Sequence, residues 1–297
     1  MVTWEGSRSV ADQASPTVRR RRLAAELRRL REQAGHTVHD VANVAGLNLS
    51  ASKVSRIENA RTAPKLEDVE GLLRLYGVGE GEREILLRLA REAGQRGWWE
   101  TYSDVLLPEY ATFIGLEVEA RSARNWEPVV VPGLLQTEDY ARHVIRGWQS
   151  VMPFPPAQVE RRIELRMKRQ EVINRRDRPL VLSVVMDEST LLRRFGDASI
   201  MRKQLHHLVE SAQRPNITLR ILPLNGQHPF VGPAFVLFDF PVEKDHDIAY
   251  IEHLSSAIYV EQDSEVYEYS RSFERLAAES LSEEESLLVI EQRARSF

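Results

Sequence analysis

Apolar positions recur at helical spacing through the first third of the chain and change period further on. Leu23, Leu27 and Leu30 fall on one helical face, and Gly35 follows as a stop signal. Thr37 is placed to cap a second, short helix carrying Val41, Ala42 and Val44. A third is predicted from Ser52 to Asn59, with Val54 and Ile57 inward. Leu66, Val69, Leu72, Leu73 and Tyr76 mark a fourth, closed by Gly77-Val78-Gly79, and Ile85, Leu86, Leu89 and Ala90 mark a fifth. The pattern predicts an all-α, five-helix domain over residues 17–97, preceded by a polar, disordered arm at 1–16.

Residues 98–176 keep a mostly helical pattern, broken at Trp126-Glu127-Pro128 and Pro132-Gly133, with a long charged helix from Pro156 to Arg176. Beyond Pro179 the period shortens. Leu180–Met186, Ile217–Leu222, Ala234–Phe240, Ile248–Glu252 and Ala257–Val260 are short β-branched or aromatic runs of the kind that form strands. A helix over Ala198–Arg214, with Leu205, Leu208 and Val209 inward, separates the first two. A last helix starts at Ser282, which forms a capping box with Glu285. Residues 98–297 therefore read as a mixed α+β domain, helical in its first part, with a small sheet in which helices lie against the strands.

Composition supports this division. A chain of 297 residues, 42% hydrophobic and 28% charged, suits two soluble globular domains. It has no cysteine, which excludes disulfides, cysteine-ligated zinc and a thiol nucleophile. The polar N-terminus lacks the apolar core of a signal peptide, and no apolar run approaches the roughly 20 residues that span a bilayer, so a cytoplasmic protein is expected. The net charge of −4 conceals a split: residues 1–62 hold 11 Lys and Arg against 6 Asp and Glu, net +5, and the remainder is net −9. A basic head on an acidic body fits a protein whose first segment meets phosphate.

A two-helix unit that reads duplex DNA needs a small residue where the helices cross, here Ala42, and a turn tolerant of left-handed backbone, here Gly46 or Asn48. Its second helix needs an apolar inner face and an outer face of short polar and basic groups, which Ser50, Ser52, Lys53, Ser55 and Arg56 supply. The stretch Ser52-Lys53-Val54-Ser55-Arg56-Ile57-Glu58-Asn59, followed by Arg61 and Pro64, resembles the recognition-helix signature of XRE-type regulators, the lambda-repressor and Cro-like proteins. The resemblance covers residues 19–78. It implies DNA contacts from Arg56, Lys53 and Ser52, with Glu58 orienting Arg56 or capping locally. Thr37, Ser50, Ser55 and Arg61 complete the expected set, together with Arg19 and Arg20 of the basic run before the first helix. Two positions depart from the pattern: Val38 stands where a phosphate-directed Gln is usual, and the turn from Gly46 to Val54 is about two residues longer.

In the second domain, Gly115-Leu116-Glu117-Val118-Glu119-Ala120, the run from Val131 to Tyr140, Arg166 through Gln170, Met186-Asp187-Glu188 and Gln204-Leu205 resemble WhiJ-like, antitoxin-like actinobacterial regulators. The resemblance implies transcriptional control in partnership with a small BldB-like protein. From the residues themselves, Leu134, Leu135 and Tyr140 read as core and Thr137 as an N-cap. Arg162, Arg166 and Arg169 share a helix face that either binds an anion or acidic partner or is solvated and paired with nearby glutamates. Hydrolase, phosphate-loop and zinc-protease motifs are missing. His206-His207 point different ways on a helix, and His228, His246 and His253 with Asp245, Asp247 and Glu252 read as loop polar groups, with a metal or catalytic site there as the alternative; no catalytic, cofactor or metal site is assigned. The expectation is a homodimeric, sequence-specific DNA-binding regulator, a repressor without enzymatic activity. The alternatives are an adaptor whose helical domain grips protein, or an enzyme with an appended helix-turn-helix.

Overall fold

The computed structural model describes residues 16–44, 46–94, 97–151, 154–226, 228, 232–241, 246–253 and 256–297. The chain divides into two compact units, Met1–Glu100 and Thr101–Phe297. Nearly all of the predicted N-terminal arm, residues 1–15, lies outside the described residues.

The first unit consists of helices α1 (Pro16–Gln33), α2 (Val38–Ala42), α3 (Ala51–Glu58), α4 (Leu66–Leu75) and α5 (Glu80–Ala93). The i, i+4 row Leu23–Leu27 on α1 meets Val41, Val54, Ile57, Val69, Leu72 and Leu73 in one buried cluster, closed by Leu86 and Ala90 of α5. Each such side chain contributes about 1.5–3 kcal/mol on burial, which lets helices as short as α2 persist in a packed domain. Val38 packs against the same cluster, which accounts for an apolar residue where the XRE pattern carries Gln.

The second unit opens with α6 (Pro108–Glu119) and β1 (Ser122–Glu127), then α7 (Glu138–Trp148), α8 (Pro156–Arg169) and the short α9 (Glu171–Asn174). Next come β2 (Val181–Asp187), α10 (Ser189–Leu192), α11 (Ala198–Ala212) and β3 (Ile217–Leu222). The chain continues through β4 (Phe235–Asp239), β5 (Ile248–Glu252) and β6 (Ala257–Val260) to α12 (Asp263–Glu279) and α13 (Glu283–Arg295). Among the described residues the strands form one mixed sheet in the order β3-β2-β1-β4-β5-β6. β1, β2 and β3 run parallel, and β4, β5 and β6 add an antiparallel meander.

Two elements correct the sequence reading. Ser122–Glu127, within a stretch expected to be mostly helical, is a strand at the middle of the sheet. Its residues carry no β-branched side chain, so the strand rests on pairing with β2 and β4 on both sides rather than on propensity. The helix Asp263–Glu279, absent from the sequence reading, covers one face through Val266, Phe273 and Leu276, packed on Trp126, Val185, Phe235, Leu237 and Ile251. The long charged helix also stops at Arg169 rather than Arg176. By contrast, the Ser282 capping box with Glu285 and the Thr137 N-cap form as expected.

Strand alternation puts Ala123, Asn125 and Glu127 of β1 on the other face, beside Leu182, Phe238, Tyr250 and Glu252 of the neighbouring strands. Helix α6 lies there, with Phe113 within 4.4 Å of the Tyr250 ring and 5.3 Å of Phe238, centroid to centroid. It is tied to α8 by a buried pair: Arg169 Nε and Nη2 donate to the two Glu117 carboxylate oxygens at 2.9 and 2.7 Å. Arg169 also donates to the Tyr110 hydroxyl and stacks over Phe113 at 4.9 Å. Although burial disfavours the charged guanidinium, Glu117 and the ring hydroxyl more than offset it and hold the Arg169 pKa above its ordinary value. Removing one partner of such a pair leaves an uncompensated interior charge. Glu117→Gln is expected to lower unfolding free energy by about 3–5 kcal/mol, measured by urea denaturation, with Glu117→Gln/Arg169→Met recovering part of the loss.

Candidate functional site

Helices α2 and α3 pack together and are joined by a turn in which Gly46 and Asn48 take φ of 91° and 43°. Both predicted turn residues therefore occupy left-handed backbone, where a β-branched residue would be strained. Thr37 caps α2 with a full capping box: its hydroxyl accepts from Asp40 N at 3.1 Å, and the Asp40 carboxylate accepts from Thr37 N at 2.7 Å. Ser50 caps α3, accepting from Lys53 N at 3.2 Å.

Val54 and Ile57 are buried, so α3 is fixed in rotation about its axis. A second constraint sets its far end. Arg31, at the end of α1, donates from Nε and Nη2 to both oxygens of Glu58 at 2.8 and 2.9 Å, and from Nη1 to His36 O at 2.8 Å. The hydrogen bond to Glu58 raises the Arg31 pKa above its ordinary value, against the effect of burial. Glu58 thus anchors α3 to α1; it does not orient Arg56. Sequence reasoning missed Arg31, although its position extends the Leu23–Leu27 row by one more step of four and so marks the inward face.

With that rotation fixed, Ser52, Ser55, Arg56 and Asn59 form an exposed stripe at helical spacing. Asn59 joins this face unanticipated, its side chain bonded to Ser55 O at 2.7 Å. Arg56 and the exposed Arg61 make no side-chain hydrogen bond or ion pair with any described residue. Lys53 is placed differently. Its Nζ lies 2.8 Å from the buried Asp68 carboxylate of α4, which also accepts from Lys65 N. Arg19 is buried, with its Nε 3.4 Å from Glu92 of α5. Arg20 is partly buried, and desolvation pushes its pKa below the ordinary arginine value. These three cations are built into the unit, whereas Arg56 and Arg61 face outward.

The second unit holds a cavity of about 550 Å3 on the sheet face opposite α12. Its floor is Ala123, Asn125, Glu127, Phe238, Tyr250 and Glu252, and α8 contributes Arg166 and Arg169. The arginine face noted in sequence divides its tasks. Arg169 is paired, Arg166 lines the cavity with Nη1 bonded to Gln136 Oε1 at 2.8 Å, and Arg162 stacks over Phe154 at 4.7 Å. Burial pushes the Glu127 carboxyl up to about 7; Val129 and Val130 N–H groups oppose that shift, Glu252 adds to it, and Arg166 opposes it weakly. His246 contacts the exposed Asp263 at 2.9 Å, while Asp245 lies outside the described residues. No group of three or more His, Asp or Glu that could hold a metal ion occurs among the described residues, nor does any helix long and apolar enough to cross a membrane.

The paired short helices, the left-handed turn and the exposed stripe define a helix-turn-helix module, and residues 22–87 match the family described as a helix-turn-helix domain. Residues 110–292 match the family described as a domain of unknown function, DUF5753; the chain belongs to that family. No curated protein and no solved structure matches the chain.

Two outcomes are expected. Arg56→Ala should weaken specific DNA binding by about 1–3 kcal/mol in gel shifts at matched salt, with an unchanged melting temperature because the side chain is exposed. The folded protein keeps the Glu127 proton up to about pH 7, where the unfolded chain has lost it near its ordinary value of 4.5. Stability should therefore fall as pH rises through that window, by at most about 1.4 kcal/mol per pH unit. Glu127→Gln should flatten this part of the profile when urea unfolding is compared at pH 5 and pH 8.

Proposed function

We propose that this protein is a sequence-specific DNA-binding transcriptional regulator, acting by binding rather than by catalysis, in which the second unit senses a partner or ligand. The observation that carries this is the stripe Ser52–Ser55–Arg56–Asn59. It lies on a helix whose opposite side is locked by Val54, Ile57 and the Arg31–Glu58 pair, so the exposed face has one orientation. Short polar side chains flanking an unpaired guanidinium suit base edges and phosphates in a major groove. Thr37 and Ser50, exposed at the starts of α2 and α3, add hydroxyl groups of the kind that contact phosphate. Arg61 just beyond α3 extends the positive surface.

One helix-turn-helix reads few bases, so the regulator acts as a homodimer on two half-sites about 34 Å apart. Repression is the favoured mode, in the manner of the antitoxin-like regulators whose second domain this one resembles, with a small BldB-like protein as partner. On the protein's own upstream DNA, footprinting of the full chain should show a pseudo-palindromic site, and affinity should drop steeply with salt. A strict monomer by light scattering, both free and on DNA, would defeat the dimer. A footprint shared equally by unrelated sequences would defeat specific regulation.

A further inference from the structure

The cavity of the second unit presents a charge arrangement that the fold leaves incomplete. Arg166 and Arg169 lie three residues apart on α8 and both line it. Arg169 is compensated by both oxygens of Glu117. Arg166 is not. Its Nη1 bonds a neutral amide, Gln136 Oε1; Tyr110 and Glu252 of the lining favour its charge, but no carboxylate of a described residue comes within ion-pair distance. Yet Arg166 sits deep enough that burial pushes its pKa below the ordinary arginine value. A cation held there without a direct ion pair is costly, and an anion that bonds it directly removes part of that cost.

The rest of the lining defines the body of the ligand. Phe113, Phe238 and Tyr250 form one aromatic wall, and Leu134, Val144 and Trp148 add apolar surface from other elements. The volume of about 550 Å3 lies in the range of small-molecule sites, roughly 300–1,000 Å3. We propose that this cavity binds a small amphipathic organic acid, its carboxylate paired with Arg166 and its apolar or aromatic body against the Phe113–Phe238–Tyr250 wall. Arginine suits the task because its planar fork meets a carboxylate through two parallel hydrogen bonds. Glu127 and Glu252, on the same floor, disfavour a ligand with a second acidic group and offer acceptors to a hydroxyl or amino donor.

This inference rests on the sensing role given to the second unit, and its test is independent of DNA. The full-length protein is titrated calorimetrically with four acids and their primary amides: 2-naphthoate, indole-3-acetate, 4-phenylbutyrate and laurate. At least one acid should bind with submillimolar Kd and at least tenfold more tightly than its amide. Arg166→Gln should erase that preference, and Arg166→Lys should keep part of it. The acid–amide comparison is made on the unaltered chain, so a poorly folded variant does not shield the proposal. Amides binding as well as acids, no acid binding below millimolar concentration, or a folded Arg166→Gln protein that keeps the preference would each overturn it. Any of those results would leave the Arg56 and footprinting measurements untouched.

Discussion

A guanidinium removed from water needs a carboxylate or several well-placed acceptors, and both units are organised around that requirement. In the first, Arg31 and Glu58 join the end of α1 to the end of α3. In the second, Arg169 and Glu117 join α8 to α6 across the sheet face that bears the cavity. Both pairs are bidentate and buried, so each fixes distance and orientation at once. A hydrophobic pair of equal volume would hold the helices together but tolerate sliding; the paired fork does not. Such pairs are weak evidence of net stability, and here their consequence is geometric.

That geometry decides which surface of the first unit faces outward. Helix α3 has only eight residues, and two buried side chains alone leave it free to tilt. The Glu58 anchor removes the tilt, and Ser52, Ser55, Arg56 and Asn59 then share an exposed face. The same packing draws Lys53 to Asp68 and Arg19 to Glu92. A basic residue on or near α3 is therefore not automatically an outward-facing charge. The acidic neighbours brought up by α4 and α5 determine which cations stay outward.

The second unit turns on a strand of unusual composition. Ser122–Glu127 is bordered by parallel β2 and antiparallel β4, so its backbone groups are satisfied on both sides whatever its side chains prefer. Freed from the need to be apolar throughout, it sends Trp126 into the core under α12 and sets Asn125 and Glu127 on the cavity floor. Glu127 is part of a rigid sheet yet shielded from bulk water, which is why its carboxyl titrates near neutrality.

Local chemistry made much of this legible in the sequence. The apolar rows of the first unit, the Thr37, Thr137 and Ser282 caps and the left-handed Gly46–Asn48 turn each depend on residues a few positions apart. The β-branched strands and the helix-turn-helix signature are of the same kind. What tertiary structure alone decided depends on residues far apart in the chain. Ser122–Glu127 is a strand because of neighbours more than 50 residues away, so no local signal marks it. Glu58 answers to Arg31 across 27 positions and not to Arg56 beside it, and Arg169 to Glu117 across 52. Spacing alone put Arg162, Arg166 and Arg169 on one face. Which of them is neutralised, which stacks and which remains facing a cavity was fixed only when α6 and the sheet closed around them, because a charge's role depends on what desolvates it.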